Sequence, residues 1–170
     1  MKRGIQLVTG VVMLCGMLAG SQAEDQSSPL SAVPVTRDLA ADALLGMSEH
    51  LPLLLVFMQD HCDYCVKLDH EILNPNYASG AFKGKAIVRR FMIDSFMIDS
   101  YATVIDFDGK KVDASALASR FKVYATPTLV LVDAHGRELV QRIVGVDSFD
   151  FFAAYLDESI EQARAKLPPN

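Results

Sequence analysis

The stretch LPLLLVFMQDHCDYCVKL, residues 51–68, decides how this chain is read. Leu51 to Met58 is a nearly unbroken apolar run of strand length. Lacking alternation, it suits a strand covered on both faces, as central strands of α/β sheets are. Gln59-Asp60-His61 breaks the run, and a helix is predicted from about Cys62 to Leu73, ending before Asn74-Pro75-Asn76. Cys62 then stands at the first helical turn, where unpaired backbone N–H groups and the helix dipole stabilise negative charge. Cys65, one turn further in, shares its face and lies within bridging reach. A catalyst of disulfide exchange needs one accessible thiol of lowered pKa and a second to resolve the mixed disulfide. Cys62 is the expected nucleophile and Cys65 the resolver, at the carboxyl edge of the sheet where α/β folds place their sites.

Working outward toward the N-terminus, Met1-Lys2-Arg3 is basic and Ile5 to Leu18 is mostly apolar. Ser21-Gln22-Ala23 then places small residues at the −3 and −1 positions of a cleavage site, the layout of a secretory signal peptide. The apolar part is short for a membrane span, which needs about 20 residues. Residues 1–23 are therefore expected to be removed and the protein to be periplasmic. Removal takes away Lys2, Arg3 and Cys15, so two of the three cysteines remain. A structural disulfide closing so short a loop would constrain the unfolded chain little, which favours a chemical role for the pair. Residues 24–36 (EDQSSPLSAVPVT) are polar and proline-punctuated and read as a flexible leader, with the domain proper at 37–168.

Beyond the deciding stretch, Thr36 is expected to cap a helix over about Arg37–Ser48, and Ala86 to Ile93 reads as a second strand. Phe91–Ser95 (FMIDS) recurs at once as Phe96–Ser100, a tandem duplication read as lengthening a loop or strand end. Asp108-Gly109 marks a hairpin within Thr103–Val112, and a helix starting at Asp113 or Ser115 runs through Phe121. Thr128–Val132 and Leu139–Val144 flank a turn at Asp133-Ala134-His135-Gly136. Ser148 is expected to cap a closing helix, Phe149–Leu167, with Phe152, Tyr155, Leu156, Ile160 and Ala163 on its core face. This order implies a single α/β domain: a mixed central sheet flanked by helices, with a short insertion before the second half.

The segment FMQDHCDYCVKL after an apolar strand, followed by Ala125-Thr126-Pro127-Thr128 and a hairpin, resembles the thioredoxin superfamily. The resemblance spans roughly Arg37 to Leu167. It implies a thioredoxin fold, a cis peptide before Pro127, and a groove in which Thr126 hydrogen-bonds an extended substrate strand while Pro127 keeps the site clear. Within the superfamily, Tyr101 to Val112 with its DFDG resembles the exported sulfur-oxidation thioredoxins, and the centre with Tyr64 resembles the periplasmic disulfide isomerases. The separate dimerisation domain of those isomerases has no room in residues 24–36, so a monomeric reductase role is expected. The sequence departs from the family pattern at His61, where thioredoxins have Trp. It departs again at Val56, where they bury an acid, and at Asp69-His70, where they have a helical proline. His61, Asp63 and Tyr64 are expected to tune the Cys62 thiol. Asp63 opposes a thiolate by like charge, as does Asp60; His61, when protonated, favours it; Tyr64 packs on the helix and shapes the disulfide.

The net charge of −5 and the absence of long basic runs set nucleic acid aside as a partner. No cofactor and no metal is required. The expected partners are protein thiols or disulfides, and a membrane or periplasmic redox protein that resets the centre. Two other readings use the same residues. One is copper or zinc binding through Cys62, Cys65 and a histidine such as His61 or His70. The other is a non-catalytic thioredoxin-fold module that holds a client in its groove.

Overall fold

The computed structural model of the chain describes residues 31–93 and 103–168. The expected signal peptide, the leader as far as Leu30 and the second FMIDS copy lie outside the described residues. Among those described, no helix is long and apolar enough to cross a membrane.

Strand β1 (Leu53–Met58) is the axis of the domain, and all six of its residues are buried. It pairs in parallel with β2 (Ile87–Met92) on one side, and antiparallel with β5 (Thr128–Val132) on the other. β6 (Ile143–Val144) extends the sheet from β5, giving the mixed order β2-β1-β5-β6. The period of two sends alternate side chains of β1 to opposite faces. Leu54, Val56 and Met58 enter one core with Cys65, Leu68, Ile72, Leu156 and Ile160; Leu53, Leu55 and Phe57 enter a second with Leu39, Leu117 and Phe121. Helices therefore cover both faces, which is why β1 is apolar without alternation.

Helix α1 (Leu39–Glu49) covers the second face and is capped by Asp38, whose carboxylate accepts from the Ala41 N–H at 2.8 Å. Thr36, the expected cap, is instead buried, and its hydroxyl donates to Asp42 at 2.7 Å. The cap moves because the backbone of Thr36 is committed to β2, its N–H bonding the Arg90 carbonyl at 2.9 Å. For the same reason the described end of the leader is bound to the domain: Arg90 N–H bonds Pro34 O at 2.8 Å, and Val33 is fully buried.

The helix after β1 runs further than its proline suggested. It begins as α2 (Asp63–Leu68), widens into a π-helical turn over Asp69–Leu73, and continues as α3 (Asn74–Ala78). A proline in a helix lacks its N–H and crowds the carbonyl four residues back. The wider turn just before Pro75, in which Asn74 N–H reaches the Asp69 carbonyl, passes it without ending the helix.

The insertion forms a hairpin, β3 (Thr103–Ile105) and β4 (Lys111–Asp113), turning at Gly109, whose φ is 81°. Helix α4 (Ala114–Arg120) follows at once. The β5–β6 connection is more irregular than a plain hairpin. Val132 bridges Glu138 while Leu129 pairs with Ile143, so two extra residues bulge between Leu139 and Ile143. The bulge is tied down by Arg142, which pairs with Glu138 and reaches the Phe121 carbonyl at the end of α4. Closing helix α5 (Phe152–Arg164) starts later than Ser148 suggested and has no side-chain cap. It buries Phe152, Leu156, Ser159, Ile160 and Ala163. Tyr155, expected in that stripe, is 50% exposed, and its place is taken by Ser159, whose hydroxyl turns back to the Tyr155 carbonyl at 2.9 Å.

Candidate active site

The loop that leaves β1 turns sharply. His61 takes a left-handed conformation, φ 58°, and so delivers Cys62 to the start of the helix in extended conformation, φ −110° and ψ 100°. Cys62 is the N-cap, and its sulfur accepts from the Cys65 N–H at 3.2 Å. The two cysteines are joined by a disulfide with their Cα atoms 5.2 Å apart. They differ in environment: Cys62 is half-buried at the rim, whereas Cys65 is 2% exposed in the core with Val56 and Leu68. An incoming thiolate therefore meets Cys62 first.

Facing them is the segment before β5. The Thr126–Pro127 peptide is cis, and Pro127 is buried. Its geometry is held from both sides: Thr128 hydroxyl donates to Ala125 O at 2.7 Å, and Gly145 N–H bonds Pro127 O at 2.8 Å. The Cys62 sulfur lies 3.6 Å from the Thr126 carbonyl oxygen and 3.5 Å from its hydroxyl. That hydroxyl also donates to Gln59 Oε1 at 3.0 Å. Chain ends of three elements, β1, α2 and β5, thus converge on one sulfur.

The residues singled out from sequence fall as follows. Cys62, Cys65, Thr126 and Pro127 are brought together. His61 and Asp63 flank Cys62 and are exposed. Tyr64, expected to pack on the helix, is 60% exposed and lies outside the core. The reason is helical spacing, which turns the position between Asp63 and Cys65 away from the sheet. Val56 is fully buried in the core that receives Cys65, so at this position the surroundings of the second sulfur are hydrocarbon. Gln59 was missed. Its signal in the sequence was only that it ends the apolar run. Among the described residues there is no group of three or more His, Cys, Asp or Glu side chains able to hold a metal ion.

A mixed sheet with helices on both faces and a Cys-x-x-Cys disulfide at its carboxyl edge defines a thiol–disulfide oxidoreductase domain of thioredoxin type. The thioredoxin-like domain family model matches residues 41–160, and the chain belongs to that family. It is 25% identical over 178 residues to the thiol:disulfide interchange protein DsbD of Ralstonia nicotianae, covering 94% of this chain but 26% of that protein. It is 28% identical over 118 residues to the disulfide bond reductase DsbH of Chlamydia pneumoniae, covering 68% of this chain and 67% of that protein. A solved structure of a DsbH oxidoreductase shares the fold, with a TM-score of 0.51 and 19% identity over 84% of this chain and 96% of the other.

Proposed function

We propose that the chain is an exported reductase of protein disulfides in which Cys62 attacks and Cys65 resolves. The observation that carries this reading is the Cys62 sulfur, reached by the Cys65 N–H and lying against Thr126 beside the cis peptide. In the reduced state Cys62 thiolate attacks a substrate disulfide, forming a mixed disulfide and releasing one substrate thiolate, which takes up a proton. Cys65, as thiolate, then attacks Cys62 Sγ, forming the intramolecular disulfide and releasing the second substrate thiolate. A partner dithiol, itself becoming oxidised, restores the reduced centre. The substrate enters as an extended strand bonded to Thr126, with Pro127 keeping the sulfur open to it. Protonated His61 supports the Cys62 thiolate, while Asp63 opposes it and Tyr64 borders the approach.

The signal pattern of residues 1–23 supports periplasmic placement, and the bridging of Cys62 to Cys65 supports exchange with protein thiols. The thiol:disulfide interchange protein among its relatives supports exchange with disulfides, and the disulfide bond reductase supports reduction rather than oxidation.

The deciding measurement is the reduction potential of the Cys62–Cys65 couple, by equilibration against glutathione and dithiothreitol buffers, with insulin reduction as the activity assay. A potential near the thioredoxin value of about −270 mV supports the reductase, and one near about −120 mV would make the protein an oxidant instead. Insulin reduction that survives Cys62→Ser would overturn the assignment of the nucleophile. If no reversible disulfide forms, the metal-binding and client-holding readings move ahead.

A further inference from the structure

Thr126 Oγ1 lies between two acceptors, Gln59 Oε1 at 3.0 Å and Cys62 Sγ at 3.5 Å. A hydroxyl carries one proton and two lone pairs, so it donates to one of them at a time. With the disulfide closed, the sulfur is a weak acceptor and the amide oxygen takes the proton. Reduction changes the competition, because a thiolate is a charged acceptor and hydrogen bonds to charged groups are roughly twice as strong as neutral ones. The Thr126 proton then turns to Cys62. Its oxygen now presents lone pairs toward Gln59, whose carboxamide meets them by rotating half a turn about its terminal bond to offer Nε2–H in place of Oε1. Gln59 suits this role. Its backbone follows directly on the rigid end of β1, while its side chain is exposed and has room to rotate.

We propose that Gln59 is a positioning residue for the exchange reaction: in the reduced protein its amide donates to Thr126 Oγ1 and directs the Thr126 hydroxyl proton onto the Cys62 thiolate. The inference rests on Cys62 being the nucleophile. Cys62 would then accept from two donors, the Cys65 N–H and the Thr126 O–H, and each bond to the charged form lowers the thiol pKa. Charged and titratable side chains near Cys62 along the chain are Asp60, His61, Asp63, Tyr64 and Lys67, with Tyr124 on the segment that carries Thr126; the Cys65 thiol, bridged to Cys62 in the oxidised state, is removed in the test below. Replacing Gln59 by Leu leaves every one of them in place.

The test is the pH profile of Cys62 alkylation by iodoacetamide in the reduced full chain carrying Cys65→Ser, followed on the Cys62 peptide by mass spectrometry so that Cys15 does not contribute. Gln59→Leu should move the midpoint up by about half a unit, a threefold fall in the thiolate-to-thiol ratio at a given pH. In a Thr126→Val background the same substitution should move nothing. An unchanged midpoint for Gln59→Leu overturns the proposal, as does an equal shift with and without the Thr126 hydroxyl. Gln59→Ala serves as the second variant should Leu disturb folding. The measurement needs only a free Cys62 thiol, so it reads independently of whether Cys62→Ser abolishes insulin reduction.

Discussion

Cys62 and Cys65 are three residues apart yet occupy different media, one at the rim and the other in hydrocarbon against Val56 and Leu68. That difference separates their expected roles. With Cys65→Ser, attack by Cys62 proceeds but release does not, so mixed disulfides with substrate should accumulate on a non-reducing gel. With Cys62→Ser no such adducts should form; adducts surviving in that variant would reverse the assignment. At the same scale His61 combines a left-handed backbone with an ionisable ring beside Cys62. Asn tolerates that backbone region, so His61→Asn removes the ring while keeping the turn, and tests the proposed support of the thiolate. It should raise the Cys62 thiol pKa, read from the alkylation profile, and a fall would show that the ring does not favour the thiolate.

At the scale of elements, two junctions are set by single residues. Gly46 in α1 faces β1 so closely that a Cβ there would lie 2.6 Å from Leu53 Cδ1 and 2.9 Å from Leu51 O. Alanine is a better helix former than glycine by about 1 kcal/mol, but overpacking against a backbone carbonyl costs about 1–3 kcal/mol. Gly46→Ala should therefore destabilise the domain in urea denaturation, whereas a gain would mean that α1 shifts freely over the sheet. The second junction fastens the β3–β4 hairpin to α4, where Arg120 pairs with the buried Asp106 and donates to Oδ1 at 2.6 Å. The Arg120 hydrogen bond outweighs burial and holds the Asp106 carboxyl below its ordinary value of 3.8. A carboxyl whose folded pKa is depressed contributes stability above its unfolded value, and that contribution is lost as pH falls through the folded one. Asp106→Asn should accordingly destabilise by about 1–3 kcal/mol at pH 7. The gap to the unsubstituted protein should close below about pH 3.8. A gap independent of pH would show that the ion pair is not its source.

For the molecule as a whole, the described end of the leader behaves as part of the domain. Ser31 hydroxyl lies 2.8 Å from both Asp69 Oδ1 and Asn74 Oδ1 and donates to one at a time, Val33 enters the core beneath the sheet, and Pro34 and Thr36 pair with Arg90. These contacts pair the outer edge of β2 at Arg90, whose backbone groups would otherwise stand open to other chains. They also join the leader to the π-helical turn and thence to the Cys-x-x-Cys helix. Val33→Ala should cost about 1–3 kcal/mol in urea denaturation. A loss below about 0.5 kcal/mol, the usual range for surface changes, would mean that the leader is an ornament of the fold and not a component.

The apolar run of β1, the Cys-x-x-Cys after it and the strand-helix order around them were legible because each depends on local chemistry. A strand buried on both faces must be apolar throughout, and a helix start can be read from where the run breaks. Turns at Gly109 and Gly136 were equally legible, since their left-handed φ values of 81° and 74° favour glycine. What the sequence did not disclose depends on contacts between distant segments. Asp38 rather than Thr36 caps α1 because Arg90 engages the Thr36 backbone, and the helix passes Pro75 because a π-helical turn opens before it. Gln59 joins the site only when β5 brings Thr126 across the sheet to meet it, 67 residues along the chain. The sequence by itself determined which residues carry the chemistry, because reactivity and burial are written in side-chain type. Tertiary structure decided which groups surround the reactive sulfur, because hydrogen-bond partners far apart in the chain are chosen by the packing of the whole domain.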